Sequence, residues 1–211
     1  MKKPAQSQTQ RQEKTRKKLL NAATKVFAQA GFDGARVDEI AAAAKINKQR
    51  LYHYFGDKDG IFTAVLENAY RGIREAEAKL PLDDLPANEA IEQLVEFTWH
   101  YYLKHPEFIR LLNSENQLEA RHIKKAPSTR TINAGHIGLM LRLVARGAKE
   151  KTVRRDLDPV HLSVNISALS FFYLMNRHTL STVFERDFMA DESLKSRLRA
   201  MKDVIARWIA P

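Results

Sequence analysis

The sequence predicts an all-α protein. Apolar residues recur at three- and four-residue spacing along most of the chain, no alternating apolar run bounded by turn residues is present, and helix-capping residues punctuate the periodic stretches. A first helix is expected from about Lys14 to Ala30, with Leu19, Leu20, Ala23, Val26, Phe27 and Ala30 on one stripe, Lys17, Lys18 and Lys25 off it, and Gly31 as a stop. Short helices follow over Val37 to Ala43 and Lys48 to Phe55, separated by a break at residues 44–47. Asp57 then caps a longer helix from Lys58 to about Lys79, which the Pro81 segment ends.

Beyond that segment, Ala90 to Lys104 and Pro106 to Gln117 read as two helices split at His105-Pro106, because the ring of Pro106 disfavours helical backbone at the preceding residue. Residues 120–128 look irregular, and a helix is expected from Thr131 to Lys149. Asp158-Pro159 is an N-cap followed by proline at the first helical position, and it launches an apolar helix to about Thr179. A last helix runs from Asp191 to Trp208, bringing the expected number to about nine.

With 211 residues and 44% hydrophobic content, the chain can bury a core and form one large or two modest domains. The lack of cysteine excludes disulfides, thiolate metal sites and cysteine nucleophiles. No apolar run is long enough to cross a bilayer, and residues 1–13 form a polar, basic arm with no apolar segment behind it, so a cytoplasmic protein with no membrane partner is expected. Net charge is +10, unevenly spread: residues 1–60 hold 13 Lys or Arg against 6 acids, the remaining 151 residues 22 against 19. That asymmetry suits a polyanionic partner, although a solvated basic surface would have the same composition.

Spacing discriminates better. Gly31-Phe32-Asp33-Gly34-Ala35-Arg36-Val37-Asp38-Glu39-Ile40-Ala41, then Ile46-Asn47-Lys48, then Leu51-Tyr52-His53-Tyr54-Phe55-Gly56-Asp57-Lys58 follow one another in the pattern of a helix-turn-helix. From Lys14 to about Ala64 the chain resembles the DNA-binding domain of tetracycline-repressor (TetR) family regulators. Ile40, Ile46, Leu51 and Phe55 can join the first-helix stripe in a small core, which frees the other side of the third helix for the major groove of double-stranded DNA. Gln49 and Arg50 are the base-reading candidates, since Gln pairs with adenine and Arg forks onto guanine; either could instead contact phosphate. The resemblance implies DNA contacts by Tyr52 and Tyr54 and a phosphate clamp at Lys58. Lys48 could contact the backbone or be simply solvated, and His53 could face phosphate or water. Two positions depart from the family: Arg36 stands where Thr or Ser caps the second helix, so a groove contact with a poorer cap is expected, and Lys45 stands where Gly forms the turn, with strain of about 1–2 kcal/mol if it is left-handed.

Three segments are therefore expected: a disordered basic arm at 1–13, a helix-turn-helix domain at 14–56, and a helical ligand-binding and dimerisation domain at 57–211. In the apolar helix, Leu162, Ile166, Leu169, Phe172 and Tyr173 form one face and Val164, Ala168, Phe171 and Met175 another; with Leu198 and Ile205 of the last helix the second face is expected to form a homodimer bundle, unless it is buried within one subunit. By resemblance, a small-molecule effector bound in the helical domain releases a palindromic operator. Trp99, Tyr102, Asn116, His136, Asn165, Tyr173 and Asn176 are its candidate pocket walls, although a polar residue on an apolar helix face also serves as a satisfied core group. No cofactor or metal is expected. No His-Glu-x-x-His pattern, glycine-rich phosphate loop or serine nucleophile elbow supports an enzyme, and an architectural DNA binder without sequence preference is the nearer rival.

Overall fold

A computed structural model describes residues 8–211, with side chains from Gln12 onward. Among the described residues there are eleven helices and no strand: α1 (Gln8–Gly34), α2 (Val37–Ala44), α3 (Lys48–Phe55), α4 (Lys58–Glu77), α5 (Ala87–Lys104), α6 (Pro106–Gln117), α7 (Arg121–Lys124), α8 (Pro127–Glu150), α9 (Pro159–Met175), α10 (Arg177–Val183) and α11 (Asp191–Ile209). The two beyond the expected nine are short. α7 has too few residues to show a period, and α10 is separated from α9 by Asn176, whose φ of −97° and ψ of 9° are not helical. Helix α1 begins at Gln8, so residues 8–13, expected in a disordered arm, are helical: Gln, Arg and Glu support a helix and no breaker separates them from Lys14. The rest of that arm, 1–7, lies outside the described residues.

The chain forms two compact units, whose limits differ from the domain boundary expected at 56/57. The first takes in the described residues to Tyr70 together with Arg110–Thr129; the second comprises Arg71–Ile109 and Arg130–Pro211. The three divisions thus fall inside α4, α6 and α8.

In the first unit, Leu19, Ala23 and Phe27 of α1, Ile40 and Ala44 of α2, Leu51 of α3 and Ile61, Phe62 and Val65 of α4 share one core with Leu111 of α6. Phe62 packs edge-on against Phe27 at 4.8 Å and against Phe32 at 5.1 Å. Each such fully buried side chain contributes roughly 1.5–3 kcal/mol. Gly31 has φ 69°, which breaks α1 where the sequence predicts its stop and turns the chain so that Phe32 enters this core.

In the second unit, α5 packs against both α9 and α11, which also meet each other. Its Ile91, Leu94, Val95 and Trp99 are buried, and Trp99 meets Tyr173 of α9 at 5.6 Å. Lys202 of α11 ties onto Glu92 and Glu96 of α5 at 2.8 and 3.1 Å. Pro86 at the start of α5 has no side-chain oxygen to cap with; Glu150, at the end of α8, instead accepts the Ala87 N–H at 2.8 Å. No described helix is long and apolar enough to cross a membrane.

Candidate functional site

Local chemistry shapes the helix-turn-helix. Lys45 closes α2 in the left-handed conformation, φ 53° and ψ 50°, donating its N–H to Ala41 and Ala42. Asn47 then caps α3 by accepting the Arg50 N–H at 2.8 Å, and Asp57 caps α4 by accepting the Gly60 N–H at 2.7 Å. Gly60 admits no other residue without rearrangement, since a Cβ there would stand 2.0 Å from the Phe55 carbonyl oxygen. Arg36 precedes α2 in an extended conformation and makes no side-chain cap, as its chemistry requires.

Within α3 only Leu51 is fully buried; Lys48, Gln49, Arg50, Tyr52 and His53 are exposed, while Tyr54 and Phe55 lean on the core. Lys48 donates to Asp38 of α2 at 3.0 Å, a bond that holds its ammonium pKa above the ordinary range. Lys58 donates to the Asp33 carbonyl at 3.3 Å with its ammonium 4.7 Å from the centre of the Phe32 ring. Among the described residues, the unit that carries these groups has 15 Lys and Arg against 9 Asp and Glu, the other 18 against 16. The cationic excess therefore lies in the unit that carries α3, where it can meet phosphate.

The second unit holds a cavity of about 300 Å³ at the end of α4 and the middle of α8. Arg74 Nη1 donates to both Glu77 oxygens at 2.8 and 2.9 Å; His136 Nδ1 lies 2.8 Å from the same carboxylate and its Nε2 lies 2.7 Å from Ser163 Oγ. Burial pushes the Glu77 carboxyl up, but hydrogen bonds from His136 and Arg74 together with their charges outweigh it and hold the group below its ordinary 4.5. A separate narrow pocket with room for about one water shares Arg74, Glu77 and His136 and is otherwise lined by residues that include Tyr102, Thr98 and Ser167. Burial raises the Tyr102 phenol above its ordinary range. Arg74 Nε is buried without a hydrogen-bond partner.

Along α9, Val160, Val164, Ala168 and Phe172 form an exposed stripe at four-residue spacing, beside a groove completed by Arg197, Val204 and Trp208 of α11.

Two family models match the chain. Residues 19–65 match "Bacterial regulatory proteins, tetR family", and residues 88–205, more than half of the chain, match "Tetracyclin repressor-like, C-terminal domain". The chain belongs to the TetR family. It is 37% identical to the HTH-type transcriptional repressor NicS of Pseudomonas putida over 89% of this chain and 88% of that one, and 37% identical to the repressor SCO4008 of Streptomyces coelicolor over 47% and 48%. Its fold is that of SCO4942 from Streptomyces coelicolor, at TM-score 0.69 and 22% identity over 92% of this chain and 98% of the other. FadR of Bacillus subtilis, solved with stearoyl-CoA, aligns at TM-score 0.66 and 18% identity over 92% and 99%. As a TetR family member with relatives named as repressors, the protein is a helix-turn-helix transcriptional regulator.

Within this TetR frame the expected site residues separate by location. Arg36, Lys48, Gln49, Arg50, Tyr52 and His53 belong to the surface of the first unit, with Tyr54 and Lys58 half-buried in the same unit. Of the expected pocket walls, His136 lines the cavity and the narrow pocket, and Tyr102 lines the narrow pocket alone. The other five lie elsewhere. Trp99 is sealed against Tyr173, whose hydroxyl donates to the Phe188 carbonyl; Asn176 donates to the Phe172 carbonyl at the end of α9; Asn165 borders the α9–α11 groove; and Asn116 belongs to the first unit, exposed, with its amide on the Leu112 carbonyl. Arg74, Glu77 and Ser163 escape sequence reading, because polar residues on a helix look solvated until a partner helix covers them.

Phe172 corrects the face assignment on α9: it is 59% exposed rather than turned inward with Leu162 and Ile166. At about 100° per residue it lies roughly 80° from both Leu162 and Val164, so periodicity alone does not choose its side. Val164 and Ala168 are exposed, and Phe171, Met175 and Leu198 are half-buried. Ile205, expected on a dimer face, is buried within the subunit at 1% exposure, and its neighbour Val204 is the outward residue, at 50%.

Proposed function

We propose that the protein is a dimeric repressor that binds a two-fold-symmetric operator through α3 and releases it when a small molecule occupies the second-unit cavity. The observation that carries this reading is the surface of α3. A capped helix presents Gln49, Arg50 and Tyr52 to solvent in a strongly cationic unit, and its one fully buried residue, Leu51, anchors it. Such a helix fits the major groove, with each good bidentate base pairing contributing about 1–3 kcal/mol of discrimination.

The exposed stripe on α9, with Val204 of α11, supports pairing of two copies, which would present two α3 helices to successive grooves about 34–36 Å apart. The cavity supports ligand control: it has the size of a small-molecule site, and the Arg74 Nε–H is a donor open to a ligand acceptor. Helix α4 carries Lys58 in its first turn and Arg74 and Glu77 in its last, so a ligand that moves one end of this helix can displace the other. Relatives named as repressors support repression as the direction of control.

The test is selection of bound duplexes from a random-sequence pool, then competition with bulk DNA at fixed salt. A two-fold-symmetric site preferred at least about 10³-fold is expected, with Gln49→Ala or Arg50→Ala relaxing individual base positions. Equal affinity for all sequences would favour an architectural binder and overturn the proposal.

A further inference from the structure

The return segment Arg110–Thr129 is distant in sequence from the helix-turn-helix yet belongs to the same compact unit. Its short helix α7 is held tightly. Glu115 of α6 accepts the N–H groups of His122 and Ile123 at 2.7 and 2.9 Å and meets His122 Nδ1 at 2.7 Å, while the His122 ring sits between Phe32 and Phe62 at 4.7 and 4.9 Å. This burial turns the other side outward. Arg121, Lys124 and Lys125, spaced i, i+3 and i+4 on one face, are all exposed.

The position of that face is informative. The Arg121 guanidinium stands 5.0 Å from the centroid of the Phe32 ring, the same ring that supports the Lys58 ammonium at 4.7 Å. Arg121 also bonds Asp59, the residue after Lys58, at 3.0 Å. Asp59 neutralises part of this charge and aims the guanidinium, and Lys124 and Lys125 have no acid partner among the described residues.

Resting on the DNA-binding reading above, we infer that α7 extends the DNA interface: Arg121, Lys124 and Lys125 engage backbone phosphates next to the one held at Lys58. Phosphates follow one another every 3.4 Å of rise along a strand, so a cationic face adjoining Lys58 meets the same backbone. These contacts add affinity and register without reading sequence.

The experiment measures the salt dependence of binding by the full chain to a duplex selected from a random pool. Lys124→Gln/Lys125→Gln, which removes charge from exposed side chains, and Arg121→Gln should each lower the slope of log K against log salt, by about 0.9 per lost contact. Affinity should fall equally on the selected duplex and on mixed-sequence DNA, leaving their ratio unchanged. Lys149→Gln/Lys151→Gln, at the end of α8 in the other unit, is the control and should leave the slope at the wild-type value. An unchanged slope in the α7 variants, or an equal drop in the control, overturns the inference while DNA binding stands. Failure of the wild-type chain to bind any duplex overturns both readings.

Discussion

Glu115→Ala removes the carboxylate on which α7 hangs. Three hydrogen-bonding groups lose their partner: the His122 N–H and ring nitrogen, both buried, and the partly buried Ile123 N–H. An unsatisfied buried donor costs about 1–3 kcal/mol, and the three losses are not additive because α7 can detach as one piece and reach water. Two buried groups left without a partner cost about 2–4 kcal/mol together, which is the expected destabilisation here. For a chain of this size each kcal/mol moves the melting temperature by about 2–4 °C, so a fall of roughly 4–16 °C is expected in thermal unfolding followed by circular dichroism. Glu115→Gln keeps an acceptor for the two backbone amides and should lose about half as much. Hydrogen exchange provides the local readout: the His122 and Ile123 amides should lose protection in the alanine variant before the α5 amides do. A melting temperature within 2 °C of wild type, with both amides still protected, would refute the assignment of Glu115 as the anchor.

Three further outcomes are expected. Lys45→Gly should stabilise the protein by about 0.5–1 kcal/mol, because it relieves about 1–2 kcal/mol of left-handed strain and returns about 0.5–1 kcal/mol in backbone entropy; a lower urea midpoint would contradict this. Glu77, held below 4.5 in the folded state, contributes stability that is present above that value and lost as pH falls through its depressed native pKa. Glu77→Gln should therefore flatten the acid limb of stability against pH below 4.5, and parallel limbs for the two proteins would count against the Arg74–Glu77–His136 cluster as its source. Phe172→Asp, on the outward stripe of α9, should raise the dimer dissociation constant at least about 30-fold in sedimentation equilibrium, the effect of losing roughly 2 kcal/mol, with helicity unchanged; an unaltered dimer would place the interface elsewhere.

What the amino-acid order alone determined is the local structure. The boundaries of α3 and α6, the caps at Asn47, Asp57 and Asp158, the stop at Gly31 and the uncapped start of α2 after Arg36 all depend on atoms within about four residues of one another, so spacing and side-chain chemistry suffice, whereas the left-handed conformation of Lys45 was one of two turns the sequence allowed. Tertiary structure decided the rest. Arg110–Thr129 joins the helix-turn-helix unit through His122 and Phe32, residues 90 positions apart whose ring contact leaves no trace in local periodicity. Neither Phe172's turn to solvent nor Ile205's burial could be read from a helical stripe, because each lies where two faces meet and only the neighbouring helix settles which is covered. The polar cluster beside the cavity likewise gathers Arg74, Glu77, His136 and Ser163 from three helices, and polar side chains become a site only when packing excludes water from between them.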